Sequence, residues 1–303
     1  MKLAVPRARM PEAALTAVVT DVLRSAGQEV DAFDAAGGEA RDIAAVHEGM
    51  ADLGVGVADW VSWAYRARAA YEGWRHTSLR ALVDVWQPQW LGIAVEAQSS
   101  VRTLREAGEQ RSAVRLVTHP KSGYSAGWSH LVEEVFRGHG FELRDVAGDG
   151  GQIVDGASFD WQPAEDDGFD LLALAYGPQL GAVGTTWAQA GAHADLRFLV
   201  VDDEVMTAVA ERHGLRTRPL PTGGLVEVPT GARSLYLPRF CVYASERLQD
   251  AEAQAIVGTL HDHRDQLLAA GFFLDPLRAF STDGGLRLHR GALAYSREMG
   301  LAT

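Results

Sequence analysis

The stretch Gly37-Gly-Glu-Ala-Arg-Asp-Ile-Ala-Ala-Val-His-Glu-Gly-Met-Ala-Asp-Leu-Gly54, followed by Val55-Gly-Val-Ala-Asp-Trp60, holds the fold in miniature. The paired glycines open a helix that runs to about residue 48. A short apolar strand follows at 52–57, and a second helix runs from 59 to about 71. Helix, strand and helix in close succession build a parallel sheet through crossover connections. The same alternation continues upstream. Residues 2–6 read as a strand, Pro11 suits a first helical turn, 12–25 form a helix that Gly27 can end, and 29–35 read as a strand. Downstream, 79–86 and 89–97 read as two strands joined near Pro88, 102–107 as a short helix, 113–118 as a strand and 126–137 as a helix. Residues 141–146 read as a strand, 147–168 as mostly loop, 170–175 as a strand, 180–190 as a helix and 196–201 as a strand. A helix at 203–212, a Pro/Gly-rich loop at 219–231, an extended run at 234–244 and helices at 250–269 and 276–280 complete the pass. The expected class is α/β.

Bulk properties narrow the function. The chain has 303 residues, enough for two α/β lobes. With 28 basic against 40 acidic residues the net charge is -12, and no basic stripe offers a sequence-independent grip on nucleic acid. No apolar run is long enough to span a bilayer. The one cysteine, Cys241, excludes an intramolecular disulfide and sits in an apolar stretch as a small hydrophobe. The start, Met1-Lys-Leu-Ala-Val-Pro-Arg-Ala-Arg-Met10, is too short and too charged for a secretory signal. The expected location is the cytoplasm, or outside it if an export signal has been removed. His261 and His263 lie two apart, on different helix faces, so no metal site is expected. Neither a nucleophile elbow nor a phosphate loop of the required spacing is present, and no cofactor is expected.

Four segments carry a resemblance. They are the glycine-opened helix and strand of 37–54, Leu79-Arg-Ala-Leu-Val-Asp-Val-Trp86 running into Leu91-Gly-Ile-Ala-Val95 and Val101-Arg-Thr-Leu104, the loop Thr118-His-Pro-Lys-Ser-Gly-Tyr-Ser125, and the end, Leu286-Arg-Leu-His-Arg-Gly-Ala-Leu-Ala-Tyr-Ser-Arg-Glu-Met-Gly300. In this order they resemble the TAXI-type solute-binding subunits of TRAP transporters, a branch of the periplasmic binding proteins. The resemblance implies two lobes, each a mostly parallel sheet flanked by helices: 1–96 with 240–303, and 97–239. It also implies two hinge crossovers near 94–99 and 238–243, and a small carboxylate held in the interlobe cleft. Membrane transporter subunits would be partners only if the chain is exported. The chain departs from the family in its first loop, Pro6-Arg-Ala-Arg-Met-Pro11, and where Glu39 and Asp42 replace the usual Ser and Asn. The oligomeric state stays open.

Ligands of open α/β sheets collect beyond the carboxyl ends of the strands. Arg7 and Arg9 follow the first strand and offer planar forks for a carboxylate, unless both are simply solvated. Asp59 and Trp60 follow the third strand. Trp60 can floor the cleft or be a core aromatic, and Asp59 can be a helix cap. His119, Lys121, Ser122, Tyr124 and Ser125 lie between a strand and a helix, where backbone N–H groups and hydroxyls can hold an anion; an ordinary capped helix start is the alternative. The resemblance places a further ligand loop at Tyr176, Gly177, Pro178 and Gln179, where Tyr176 and Gln179 can orient the ligand. Two functions follow. One is a solute-binding protein for a small anionic organic ligand. The other is a cytoplasmic enzyme on the same scaffold, a decarboxylase or lyase of small cyclic or aromatic acids, with His119 as general acid/base.

Overall fold

Leu53-Gly-Val-Gly-Val57 is buried at all five positions, as a strand covered on both faces must be. The computed structural model describes residues 1–5, 11–35, 37–110, 114–119, 126–156, 169–177, 181–274 and 285–301. The strands are β1 (Lys2–Ala4), β2 (Asp31–Phe33), β3 (Leu53–Val57), β4 (Leu79–Glu96), β5 (Val114–Thr118), β6 (Gln152–Asp155), β7 (Phe169–Tyr176), β8 (Leu196–Phe198), β9 (Arg216–Pro219), β10 (Val226–Glu227) and β11 (Arg233–Ser245). The helices are α1 (Pro11–Ser25), α2 (Glu39–Glu48), α3 (Ala58–Arg66), α4 (Leu104–Glu109), α5 (Ala126–Gly138), α6 (Leu143–Gly148), α7 (Gly181–His193), α8 (Asp203–His213), α9 (Asp250–Asp262), α10 (Arg264–Ala269) and α11 (Arg290–Glu298). The chain divides into two compact units, Met1–Pro88 with Pro238–Thr303, and Gln89–Leu237. It passes between them twice, inside β4 and inside β11.

In the first unit, β1 lies between β2 and β3 and pairs with both in parallel, as helical crossovers through α1 and α2 require. β11 adds to the other side of β3 in antiparallel fashion, with Tyr243 opposite Gly54 and Cys241 opposite Gly56. Tyr243 is fully buried, and its ring lies over the glycine side of β3. A methyl group on Gly54 would fall inside that ring. Gly54→Ala is therefore expected to cost about 1–3 kcal/mol, the range for overpacking a well-filled core. Urea unfolding of Gly54→Ala alone and on a Tyr243→Leu background checks this, because the penalty should largely vanish once the ring is gone.

α11 closes this unit. His289 caps it by accepting the Gly291 N–H at 3.2 Å, and Gly291 lies so close to the Asp250 carbonyl that a side chain would collide with α9. His261 of α9 meets the Tyr295 hydroxyl at 2.7 Å. The C-terminal Leu-His-x-Gly-Ala pattern is thus a packing device.

In the second unit, β7 pairs with β4 antiparallel and with β5 parallel, and β6 completes the row beside β5. Arg115 and Asp170 stand opposite one another on β5 and β7 and form a two-point ion pair, at 2.5 Å (Nε to Oδ1) and 2.7 Å (Nη2 to Oδ2). Trp187 is buried and ties α7 to the sheet by donating its indole N–H to the Ala175 carbonyl at 2.8 Å.

Several local expectations need correction. Residues 79–96 form one strand rather than two, since the φ of proline suits extended chain. Residues 141–146 are not a strand. There the Glu142 N–H donates to the Asp145 carboxylate at 2.7 Å in a reciprocal cap that starts α6. β6 lies within the segment expected as loop, and β10 within the expected loop at 219–231. The helix expected to reach residue 71 stops at Arg66, where Ala67 adopts φ 54 and caps it; a 3-10 turn, Ala69–Tyr71, follows. The helix expected at 250–269 breaks at His263, and 276–280 lies outside the described residues.

Candidate functional site

The helices that leave the carboxyl ends of β1, β2 and β3 each carry an acid in their first turn: Glu12 on α1, Glu39 and Asp42 on α2, and Asp59 on α3. Carboxylates are favoured there by the helix dipole. Their burial is the unusual part. Glu12, Glu39 and Asp42 are 3%, 6% and 5% exposed. Glu39 and Asp42 lie three apart, so one face of α2 turns both inward. Gly38, with φ 72, gives α2 its entry angle.

Tyr71, on the 3-10 turn after α3, donates its hydroxyl to Glu39 Oε1. Neither oxygen of Glu12, nor Oε2 of Glu39, nor the hydroxyl of Tyr243 has a hydrogen-bond partner among the described residues. Burial raises the pKa of Glu12 to about 7, and repulsion from Asp42 adds to it. Asp42 is likewise pushed up to about 7, by burial and then by Asp34. Glu39 is raised well above the carboxylate range, by burial, then by Glu12, with Asp42 adding a smaller push against the opposing Tyr71 bond. Tyr243 and Tyr71 are both pushed well above the usual phenol value, chiefly by burial and then by these carboxyls. The five side chains form one electrostatically coupled group. None of them was singled out from sequence as a ligand contact. The one legible sign was the departure at Glu39 and Asp42 from the family pattern.

The residues expected at the site fall in different surroundings. Trp60 has no exposed surface and packs on Trp63 with ring centroids 4.6 Å apart, a core position. Asp59 is partly exposed; burial raises its pKa, and the Arg239 guanidinium works against that rise. Arg239 itself donates to Asp84 at 2.9 Å.

In the second unit, His119 directly follows β5 and is 4% exposed. Its pKa is pushed down to about 4 by burial, and neither ring nitrogen has a hydrogen-bond partner among the described residues. Ser129 of α5 donates to its carbonyl at 2.8 Å. Tyr176 ends β7, packs edge-on against Trp187 and Phe198 at 5.3 and 4.9 Å, and sets its hydroxyl against Gly224. Arg7, Arg9, Lys121, Ser122, Tyr124, Ser125 and Gln179 lie outside the described residues. No group of His, Cys, Asp and Glu among the described residues is arranged to hold a metal ion.

A family model described as the NMT1-like family matches residues 13–300. No curated protein matches the chain. Among solved structures, the glycine betaine/L-proline-binding protein ProX of an ABC transporter from Borrelia burgdorferi is 15% identical, covers 97% of this chain and 91% of its own, and gives a TM-score of 0.51. XAC2383 from Xanthomonas citri, bound to ATP, is 15% identical over 100% of this chain and 98% of its own, with a TM-score of 0.47. Lactococcal OpuAC, complexed with glycine betaine, is 11% identical over 99% and 95%, with a TM-score of 0.45. The likeness to ProX shows a shared fold, that of the periplasmic substrate-binding proteins.

Proposed function

The chain belongs to the NMT1-like family, and from that premise we propose that it is a solute-binding protein that captures a small organic acid. The observation that carries this reading is the family match over 13–300, joined to the substrate-binding-protein fold it shares with ProX. Substrate-binding proteins hold small molecules and work with membrane transporter subunits, and where this chain is exported such subunits are its partners. The C-terminal Leu-His-x-Gly-Ala pattern supports the finer assignment to the TAXI type. Arg7 and Arg9, between β1 and α1, are the proposed carboxylate donors, because a guanidinium fork matches a carboxylate.

The test is a panel of small carboxylic acids read by melting temperature and tryptophan fluorescence. A ligand that binds only the folded protein stabilises it by about 2.7 kcal/mol at a hundred times its Kd. At least one chemical class should move both signals, and Arg7→Gln should reduce the response. A panel that moves neither would defeat the proposal. Small-angle scattering with the responding acid tests the cleft expected from the sequence, because binding there requires ligand-dependent closure.

A lyase or decarboxylase on the same scaffold has less support. His119 is buried, poorly basic and without an orienting partner among the described residues, whereas a general acid/base works best with a pKa near the operating pH.

A further inference from the structure

Helices α5 and α8 of the second unit pack against each other in opposite directions, and histidines stand at both ends of the seam. At one end His139, which follows α5, meets Asp202, the residue that opens α8. At the other, His130 of α5 meets His213, the last residue of α8, edge to face with ring centroids 5.0 Å apart. Near the first end the helices come so close that a methyl group on Gly138 would fall on Val205.

The His139 side chain has no exposed surface, and its partners fix where its hydrogen sits. Nδ1 faces the Val135 carbonyl at 2.8 Å, and a carbonyl can only accept, so Nδ1 carries the hydrogen. Nε2 accepts the Asp202 N–H at 3.3 Å, so it carries none. The ring is neutral in this arrangement, and it satisfies a backbone donor at the start of α8, where the Asp202 side chain makes no cap bond among the described residues. A proton on Nε2 sets N–H against N–H and breaks that link. The Asp202 carboxylate lies 3.8 Å from Nε2, but it already accepts from Arg105 of α4 at 2.6 Å.

The other end has the same preference. The charged and titratable groups around His130 are Glu133, Glu134 and Arg137 on its own helix and His213 across the seam. Those around His213 are Glu134 across the seam and Arg212 beside it. Glu134 Oε2 lies 3.7 Å from His213 Nε2, yet Glu134 also pairs with both Arg137 and Arg212. Its charge is therefore largely answered before either imidazole takes a proton. Two imidazolium rings at this spacing also repel one another. Burial, and then His213, hold His130 below the ordinary histidine value of 6.5. Burial lowers His213 as well, with Glu134 working against it.

We propose that α5 and α8 form an acid-released clamp: α8 stays docked while His130, His139 and His213 are neutral, and comes away from α5 as they take protons. The device goes beyond the solute-binding reading and does not rest on it. The sign follows from the lowered values of His130 and His213. Docked α8 binds fewer protons than released α8, so docking is complete above the ordinary histidine value of 6.5 and weakens as pH falls below it. α8 leads into β9, which pairs with β11, so release loosens the chain just ahead of a crossing strand.

Hydrogen exchange of the full chain, corrected for the intrinsic rate, tests the clamp at about pH 7.5 and about pH 5.5. One proton taken up on release changes docking about tenfold per pH unit. Protection of α8 should therefore fall about tenfold at the lower pH, while that of β5 and β7 is kept. The double variant His130→Gln/His213→Gln should shrink this response, because glutamine does not titrate. Nitrogen-15 spectra of the imidazoles should show His139 protonated on Nδ1 at the higher pH. The clamp is overturned if α8 loses no more protection than β5 and β7, if the double variant keeps the full response, or if His139 carries its hydrogen on Nε2. Should the double variant fail to fold, the wild-type exchange profile and the His139 spectrum decide the matter.

Discussion

Replacing Arg115 by Met is expected to destabilise the protein by about 3–5 kcal/mol, the cost of leaving a buried charge without its partner. The reason lies in the asymmetry of the pair. The Arg115 side chain is 20% exposed and that of Asp170 is 0% exposed, so only the carboxylate is wholly dependent on the bond. The two groups face each other at one rung of the β5–β7 ladder, and both guanidinium contacts are lost at once. Urea unfolding with an unchanged m-value would isolate the effect as one of stability. The double variant Arg115→Met/Asp170→Leu should recover most of the loss, because an apolar pair can replace a buried ion pair nearly neutrally. A single variant within about 1 kcal/mol of the wild type would mean that the pair is screened like a surface one.

Glu12→Gln should act in the opposite sense and depend on pH. Glu12 titrates near 4.5 as an ordinary carboxyl and at about 7 in the fold. Between those values the folded state holds the extra proton, so stability falls as pH rises through the window. The penalty is absent below the lower value and complete above the upper. At about 1.4 kcal/mol per pH unit, Glu12 alone accounts for roughly 3 kcal/mol by pH 8. Glutamine carries no such penalty. The melting temperature of Glu12→Gln should therefore match the wild type near pH 4.5 and exceed it increasingly up to pH 8. Parallel curves would show that Glu12 has a counter-charge in solution. Asp42 is coupled to the same site, so the two contributions will not add.

Much of the fold was legible because its signals are local. Hydrophobic period, glycine openings and chain alternation located β3, α2 and the parallel crossovers. The misreadings came where a side chain outside that code decided the outcome, as the reciprocal Glu142–Asp145 cap did in making a helix of an apolar segment. The candidate site was harder to read for a different reason. Glu12, Glu39 and Asp42 look like ordinary acids in first helical turns, which normally face water. Only the packing of α1 and α2 against the sheet shows that they turn inward. Tyr243 sits in an apolar strand and reads as core, and its nearness to these acids depends on lying across from Gly54, a partner far away in sequence. Trp60 shows the converse: a chemically attractive residue in the right segment that is spent on packing.

The antiparallel rung between Gly54 and Tyr243 also bears on how the chain is made. The ribosome delivers residues 89–237, the whole of one unit, before the strand that completes the other. Domains tend to fold as they emerge, and long-range pairings form slowly. The contiguous half is thus expected to mature first, while β1, β2 and β3 wait with an open edge for the last fifth of the translation product. That waiting interval is when a nascent chain of this design is most exposed to misassembly and most dependent on chaperones.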